Sequence, residues 1–456
     1  MKFHKGSYGK ETVQSNALVT NLLKYPEIAK TLIRQYPQYS LNYFVDGTSR
    51  FAKEEIIGDN AFKWAVLGRT NRPSTLTGGG AGTGAGNASF TFEVEENYIN
   101  PNDIVRFQDG TQAIVIGEPT ASAGGFMFSA KLQTSDATAT FAAANRTAGK
   151  TVNTAGSAFT EGSERGYENS VYPDWYVNYL SISRKAKSIT GSALTDITWI
   201  ENNGERLWFF TEQKIMEEDF LYEREINDWY AQSTMDVNGN AKVFDSNGKP
   251  IVSGDGILRQ IDAANVDTYN GTLTEERITD FLAQLSLNTG ETNSHWIVYT
   301  GTAGKVAFHK AMKDLVYPSG NLIYDARVGA ETEIGVNFTT YNALGSRLTL
   351  AHCPIFDDPN LHTDIDPASG YLKESFRMVF LNFGQTDGVA NIERKVKGAG
   401  GINRSMIIKY LPGMVDPFNQ AQMMAVSSRD SFSMEILSES GMVVRNPLSC
   451  GQLIFA

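Results

Sequence analysis

The chain has 456 residues and 50.1 kDa, more than one ordinary domain needs, so two or three folded units are expected. Lys and Arg number 40 against 51 Asp and Glu, a net charge of −11, and no basic run is longer than two, which argues against tight non-specific gripping of nucleic acid as the main task. No apolar run exceeds four residues, far short of the roughly 20 a membrane helix needs, and the two cysteines, Cys353 and Cys450, give neither a disulfide framework nor a thiolate zinc site.

Residues 11–45 read as an arm, helical and then extended. Leu18, Leu22 and Leu23 recur at helical spacing, Pro26 opens a second short helix, and Tyr36 to Phe44 turns aromatic and extended. The arm has little sequence nearby with which to close a core, so it lies either along another subunit or as a flap on its own domain. A compositional break follows. Residues 78–86, GGGAGTGAG, predict a flexible connector, and only 11 of the 86 residues from 75 to 160 are charged, against 20% for the chain. Ser89–Val94, Ile104–Phe107, Ala113–Ile116 and Phe126–Leu132 predict short strands, with the clearest hairpin turning over Gln108-Asp109-Gly110. The glycines match no dinucleotide fingerprint.

Tyr176–Lys187 predicts a hairpin arm carrying Arg184, Lys185 and Lys187. From Glu205 to Asn238 there is neither Gly nor Pro. Trp208, Ile215, Tyr222, Ile226 and Trp229 form an apolar stripe there, which predicts one uninterrupted helix over Glu205–Gln232, about 42 Å long at 1.5 Å per residue. Further on, Thr272-x-x-Glu275 has the pattern of a capping box ahead of Ile278, Phe281, Leu282 and Leu285. A strand at His295–Thr300 and a helix at Thr302–Val316 come next. Strands then follow at Arg347–His352, Phe376–Phe383, Arg404–Leu411, Ser431–Leu437, Gly441–Val444 and Gln452–Phe455. Two helices on a mixed sheet are expected.

The chemical motifs are incomplete. Gly301-Thr-Ala-Gly304-Lys305 lacks a phosphate loop's first glycine, since position 299 is Tyr299, and Val306 stands where Ser or Thr is needed. The loop from Asp236 to Ala241 lacks the sharp-turn glycine of a calcium hand. Asp357, Asp358, His362, Asp364 and Asp366 form the one cluster with metal-ligand character, although two prolines bracket it as they would a solvated acidic loop. His352 and Cys353, adjacent on a strand, point to opposite faces and make a poor dyad, so both cysteines are expected in the core. Paired carboxylates such as Glu217 and Glu218 do not by themselves specify a glycosidase. No catalytic residue and no cofactor are assigned.

The order of parts (arm, long β arm with an insertion, spine helix, α/β domain, closing strands) resembles the major capsid proteins of tailed bacteriophages, the Johnson fold of the Hong Kong-phage type, and is similar in texture to those of crAss-like phages. The likeness is carried by the spine at Glu205–Gln232, by Gly254-Asp-Gly-Ile-Leu-Arg-Gln-Ile, by Cys353-Pro-Ile-Phe-Asp-Asp-Pro-Asn-Leu, by Arg377-Met-Val-Phe-Leu-Asn-Phe-Gly and by Glu439-Ser-Gly-Met-Val-Val-Arg-Asn-Pro. It implies an α+β fold with 1–75 as N-terminal arm and start of the β arm, 76–174 as an inserted all-β module and 175–202 as the returning β arm. Residues 203–254 would then be the spine helix with a peripheral hairpin, and 255–456 the axial α/β domain with returning peripheral strands.

The resemblance further implies a structural subunit of the virion capsid, assembling in the bacterial cytoplasm into hexamers and pentamers of an icosahedral shell that encloses double-stranded DNA without specific binding. With no charged coiled-coil segment ahead of the arm and no removed prosegment expected, a separate scaffolding protein is implied, along with portal and decoration proteins and no membrane partner. Leu18, Leu22, Tyr43, Phe44, Arg184, Lys185 and Lys187 are the expected subunit contacts. A carbohydrate-active enzyme and a bacterial surface adhesin are the rival classes.

Overall fold

The computed structural model describes residues 53–67, 73–163, 166–167, 170, 172–194, 197–202, 205–236, 238–289, 294–316, 340–386, 388–416 and 428–456, with backbone only for 197–202, 205–211 and 313–316. The chain divides into two compact units, one formed by Ala65–Tyr176 and the other by the segments before and after it.

The described chain opens with β1 (Lys53–Ile57) and β2 (Ala61–Val66). Next comes the sheet of the smaller unit, built from β3 (Ser74–Thr75), β4 (Phe90–Val94), β5 (Asp103–Phe107), β6 (Gln112–Val115), β7 (Thr120–Ser122), β8 (Gly125–Leu132) and β9 (Thr151–Ser157). These run antiparallel in the order β3-β9-β5-β6-β8-β4, with β7 on β8. The hairpin over Gln108-Asp109-Gly110 sets Val105 opposite Ala113. Alternate side chains point inward, as strand geometry requires, so Phe90, Phe92, Val94, Val105, Phe107, Val115 and Phe128 close one core with Phe141. Rings meet at centroid distances of 4.2 Å (Phe90–Phe141) and 5.2 Å (Phe92–Phe107, edge to face).

The glycine-rich stretch is not a flexible connector. It is a packed strap along β4: Thr91 N donates to Ala81 O (2.8 Å), Phe141 N to Thr83 O (2.6 Å) and Arg146 Nη1 to Gly82 O (2.9 Å). At Gly80, φ is +119° and a Cβ would lie 2.2 Å from the Thr91 carbonyl oxygen, so only glycine fits. On the other face of β4, Glu93 is buried and accepts from Thr77 Oγ1 (2.5 Å) and Gly124 N (3.2 Å).

β10 (Asp174–Tyr179) pairs with β2 and leads into β11 (Ser181–Thr190), the short α1 (Gly191–Leu194) and the hairpin β12 (Ile197–Asn202) and β13 (Glu205–Leu207). The spine α2 (Trp208–Tyr230) is one uninterrupted helix of 23 residues, about 35 Å long. It is shorter than its apolar stripe predicts. Glu205–Leu207 pair with β12 instead of joining the helix, and just past its other end the Ala231 carbonyl accepts from Gly256 N (2.9 Å).

The larger unit continues through α3 (Ile257–Gln260), β14 (Val266–Tyr269), α4 (Glu275–Thr289), β15 (His295–Thr300), α5 (Thr302–Val316), β16 (Thr340–Ala343), β17 (Ser346–His352) and β18 (Met378–Leu381). After a small hairpin, β19 (Gln385–Thr386) and β20 (Val389–Ala390), come β21 (Ile392–Ala399), β22 (Ile402–Asn403), β23 (Ile407–Pro412), β24 (Ser431–Val444) and β25 (Gly451–Phe455). One six-stranded mixed sheet has the order β14-β25-β18-β15-β17-β16, and the other has β1-β21-β24-β11 with β23 on β24 and β22 on β21.

β15 shows why the first sheet reads as a continuous apolar run: both its faces are covered. Trp296 and Val298 pack with Phe281, Leu285, Phe308 and Met312 of α4 and α5, while Ile297 and Tyr299 pack with Trp229 of α2, Phe356 and Val379. Cys353 and Cys450 are both buried and unlinked, as expected of core residues. Nearer the start of α2, Met216 and Phe220 meet Phe432, Met434 and Ile436, alternate residues of β24. The spine therefore contributes to two cores, each fully buried aromatic or Met being worth about 1.5–3 kcal/mol.

Candidate functional site

Three clusters carry the charged chemistry of the larger unit. The first is on β11, where alternation separates the cations. Lys185 and Lys187 share one face and meet the acidic side of α2: Lys185 Nζ lies 2.7 Å from Glu223 and 3.7 Å from Asp219, and Lys187 Nζ lies 2.7 Å from Glu212. Arg184 faces the other way, 65% exposed, with Glu435 of β24 at 3.8 Å. All three thus have acidic partners within the chain, a pairing the sequence reading did not foresee when it assigned them to contacts between subunits. Leu18, Leu22, Tyr43 and Phe44 lie outside the described residues.

The second cluster is the loop after β17, and the structure does not gather its candidate ligands. Asp357 turns to the start of α5, accepting from Thr302 N (2.9 Å), Thr302 Oγ1 (2.7 Å) and Ser375 Oγ, with His352 Nε2 at 2.7 Å. Burial pushes its carboxyl up, but the hydrogen bonds from His352, Ser375 and Thr302 together outweigh burial and hold it below the ordinary carboxylate value. Asp358 accepts from Tyr222 of α2 and from Asn360 N (2.8 Å), Asp364 pairs with Lys373 (3.4 Å), and Asp366 closes its own turn with Ser369. His362 lies beside Tyr230, whose hydroxyl donates to Glu374 (2.7 Å). Among the described residues no group of three or more such side chains is placed to hold a metal. Asp357 holds the loop to the start of α5 and Asp358 holds it to α2, while Asp364 and Asp366 close the loop on itself.

The third cluster was missed in the sequence. Arg394 of β21 is fully buried and paired with Asp228 of α2, with Arg224 and Glu225 buried in the same stretch of helix. Burial pushes the Asp228 carboxyl up to about 7, against the pull of Arg224, and brings the Arg394 guanidinium down to about 9. Beside it, Lys395 and Arg445 converge on Glu393 (2.8 and 2.6 Å), and both also reach Glu55 of β1. The signal was present: Ile392 and Val396 bracket Glu-Arg-Lys at strand spacing, and all five residues are buried.

These arrangements are structural. Charges fix helix to sheet and loop to helix. A search of curated proteins finds no significant match. Among solved structures, the chain is similar to one from Gordonia phage Cozz (9% identity, 100% of this chain and 98% of that one, TM-score 0.42). It is also similar to the capsid of a native GTA particle (11%, 95% and 96%, TM-score 0.40) and to the holo-SrpI encapsulin complex of Synechococcus elongatus (10%, 62% and 75%, TM-score 0.34). At TM-scores below 0.5 none of the three fixes the fold by itself. The family model described as Crassvirus major capsid protein, by contrast, matches residues 1–456. The chain belongs to the Crassvirus major capsid protein family, and its role is structural, in the capsid of the virion.

Proposed function

We propose that this subunit forms hexamers and pentamers of an icosahedral head with a Johnson-type fold, built in the host cytoplasm around a separate scaffolding protein, joined by portal and decoration proteins and filled with double-stranded DNA. The observation that carries the reading is the family match over residues 1–456. In this reading Leu18, Leu22, Tyr43 and Phe44 bury apolar surface on neighbouring copies, and Arg184 offers its exposed guanidinium to them. Lys185 and Lys187 keep β11 against α2 so that the arm leaves the subunit in a fixed direction. The net charge of −11 suits a wall that encloses DNA without gripping it, because every phosphate contact would add roughly 0.9 to the salt slope of binding.

Removing residues 1–45 tests the proposal. The truncated chain is expected to stay folded by circular dichroism and to lose assembly. Normal particles from the truncated chain would overturn the role given to the arm.

A further inference from the structure

Four Asn-Gly steps occur in the chain: Asn203-Gly204, Asn238-Gly239, Asn247-Gly248 and Asn270-Gly271. At such a step the glycine nitrogen can attack the asparagine Cγ. The new N–Cγ bond closes a succinimide, the Cγ–Nδ2 bond breaks and ammonia leaves, and water then opens the ring to aspartate or isoaspartate. No redox partner is needed. What decides the rate in a folded chain is whether the glycine amide is free to lose its proton and approach the side chain. The first of the four steps lies outside the described residues.

The other three are all exposed, yet their amides differ. Gly239 N donates to the Asp236 carbonyl (3.0 Å), and Asn238 N is held by the Asp236 carboxylate (2.9 Å). The second loop repeats this chemistry: Gly248 N donates to the Asp245 carbonyl (3.0 Å), and Asn247 N is held by the Asp245 carboxylate (2.9 Å). Both nucleophiles are tied into turns that must open first. For Gly271, by contrast, no acceptor for its amide is present among the described residues; the space where a Cβ would stand is open there, as it is at Gly248. The step links Tyr269, the last residue of β14, to the Thr274 that caps α4.

We propose that Asn270 is a site of spontaneous covalent ageing, converting to aspartate and isoaspartate while Asn238 and Asn247 are protected by their turns. Conversion to isoaspartate inserts a methylene into the main chain at the entrance to α4 and adds a negative charge there. Peptide mapping of full-length protein incubated at mildly alkaline pH measures all three positions in one sample. Asn270 is expected to convert at least about tenfold faster than Asn238 or Asn247, the factor a modest local opening free energy imposes. In concentrated urea the three rates should converge, because the protection is structural. Equal rates in the folded protein, or a faster Asn238 or Asn247, would overturn the proposal, as would a rate difference that persists in urea.

Discussion

The two units are closed by different chemistry. The smaller one is sealed by rings and by a glycine strap, with Phe90, Phe92, Phe107, Phe128 and Phe141 filling its core and few charges anywhere. The larger one also has apolar cores, but where α2 meets β21 it buries Asp228, Arg224, Glu225 and Arg394. The contrast shows where each unit tolerates change. An apolar core loses stability in proportion to the cavity left behind, whereas a buried ion set fails when one member is removed and can be exchanged only as a whole.

The largest effect is therefore expected at the ion set. Asp228→Ala removes the carboxylate paired with the buried Arg394 guanidinium and should cost about 3–5 kcal/mol in chemical denaturation, while the double replacement Asp228→Leu with Arg394→Met should recover most of that loss. Failure of the double variant to recover would mean that the pair is not the unit of stability. In the smaller unit, Gly80→Ala forces a side chain into a left-handed backbone against the Thr91 carbonyl, a cost of about 1–3 kcal/mol. That cost should appear in the unfolding of the smaller unit and leave the tryptophan signal of Trp229 and Trp296 in the larger one unchanged.

The smallest effect concerns acid. The folded Asp357 carboxyl binds its proton less tightly than in the unfolded chain. Its contribution is thus complete above the ordinary value of 3.8 and drains away as pH falls below it. Asp357→Asn should cost about 1 kcal/mol at neutral pH and flatten this acid limb in a pH series of thermal melts.

The legible parts of the fold were those with strong periodicity. α5 begins at Thr302 and β15 spans His295–Thr300 as their apolar patterns predict. The α4 helix was legible from its apolar face, but its start lies two residues later than the Thr272-x-x-Glu275 pattern implies: the helix begins at Glu275, and Thr274 caps it by accepting from Arg277 N (3.3 Å). β24 read as two strands, Ser431–Leu437 and Gly441–Val444, yet Ser438, Glu439 and Ser440 between them are buried within one 14-residue strand. The glycine strap was illegible because composition reports the freedom of glycine but not the closeness of the β4 backbone. Asp357 reaches Thr302 from 55 residues away, and Lys185 and Lys187 find carboxylates on a helix that begins only at Trp208. Such pairings have no local signature. The charges themselves were visible, but their burial was set by tertiary packing.

The central claim, that this chain is a shell-forming subunit, is tested most directly by electron microscopy of the purified full-length protein. Closed shells, or rings and tubes made of sixfold and fivefold capsomers, are the predicted result. A uniform population of compact monomers, unchanged at high concentration, would contradict it.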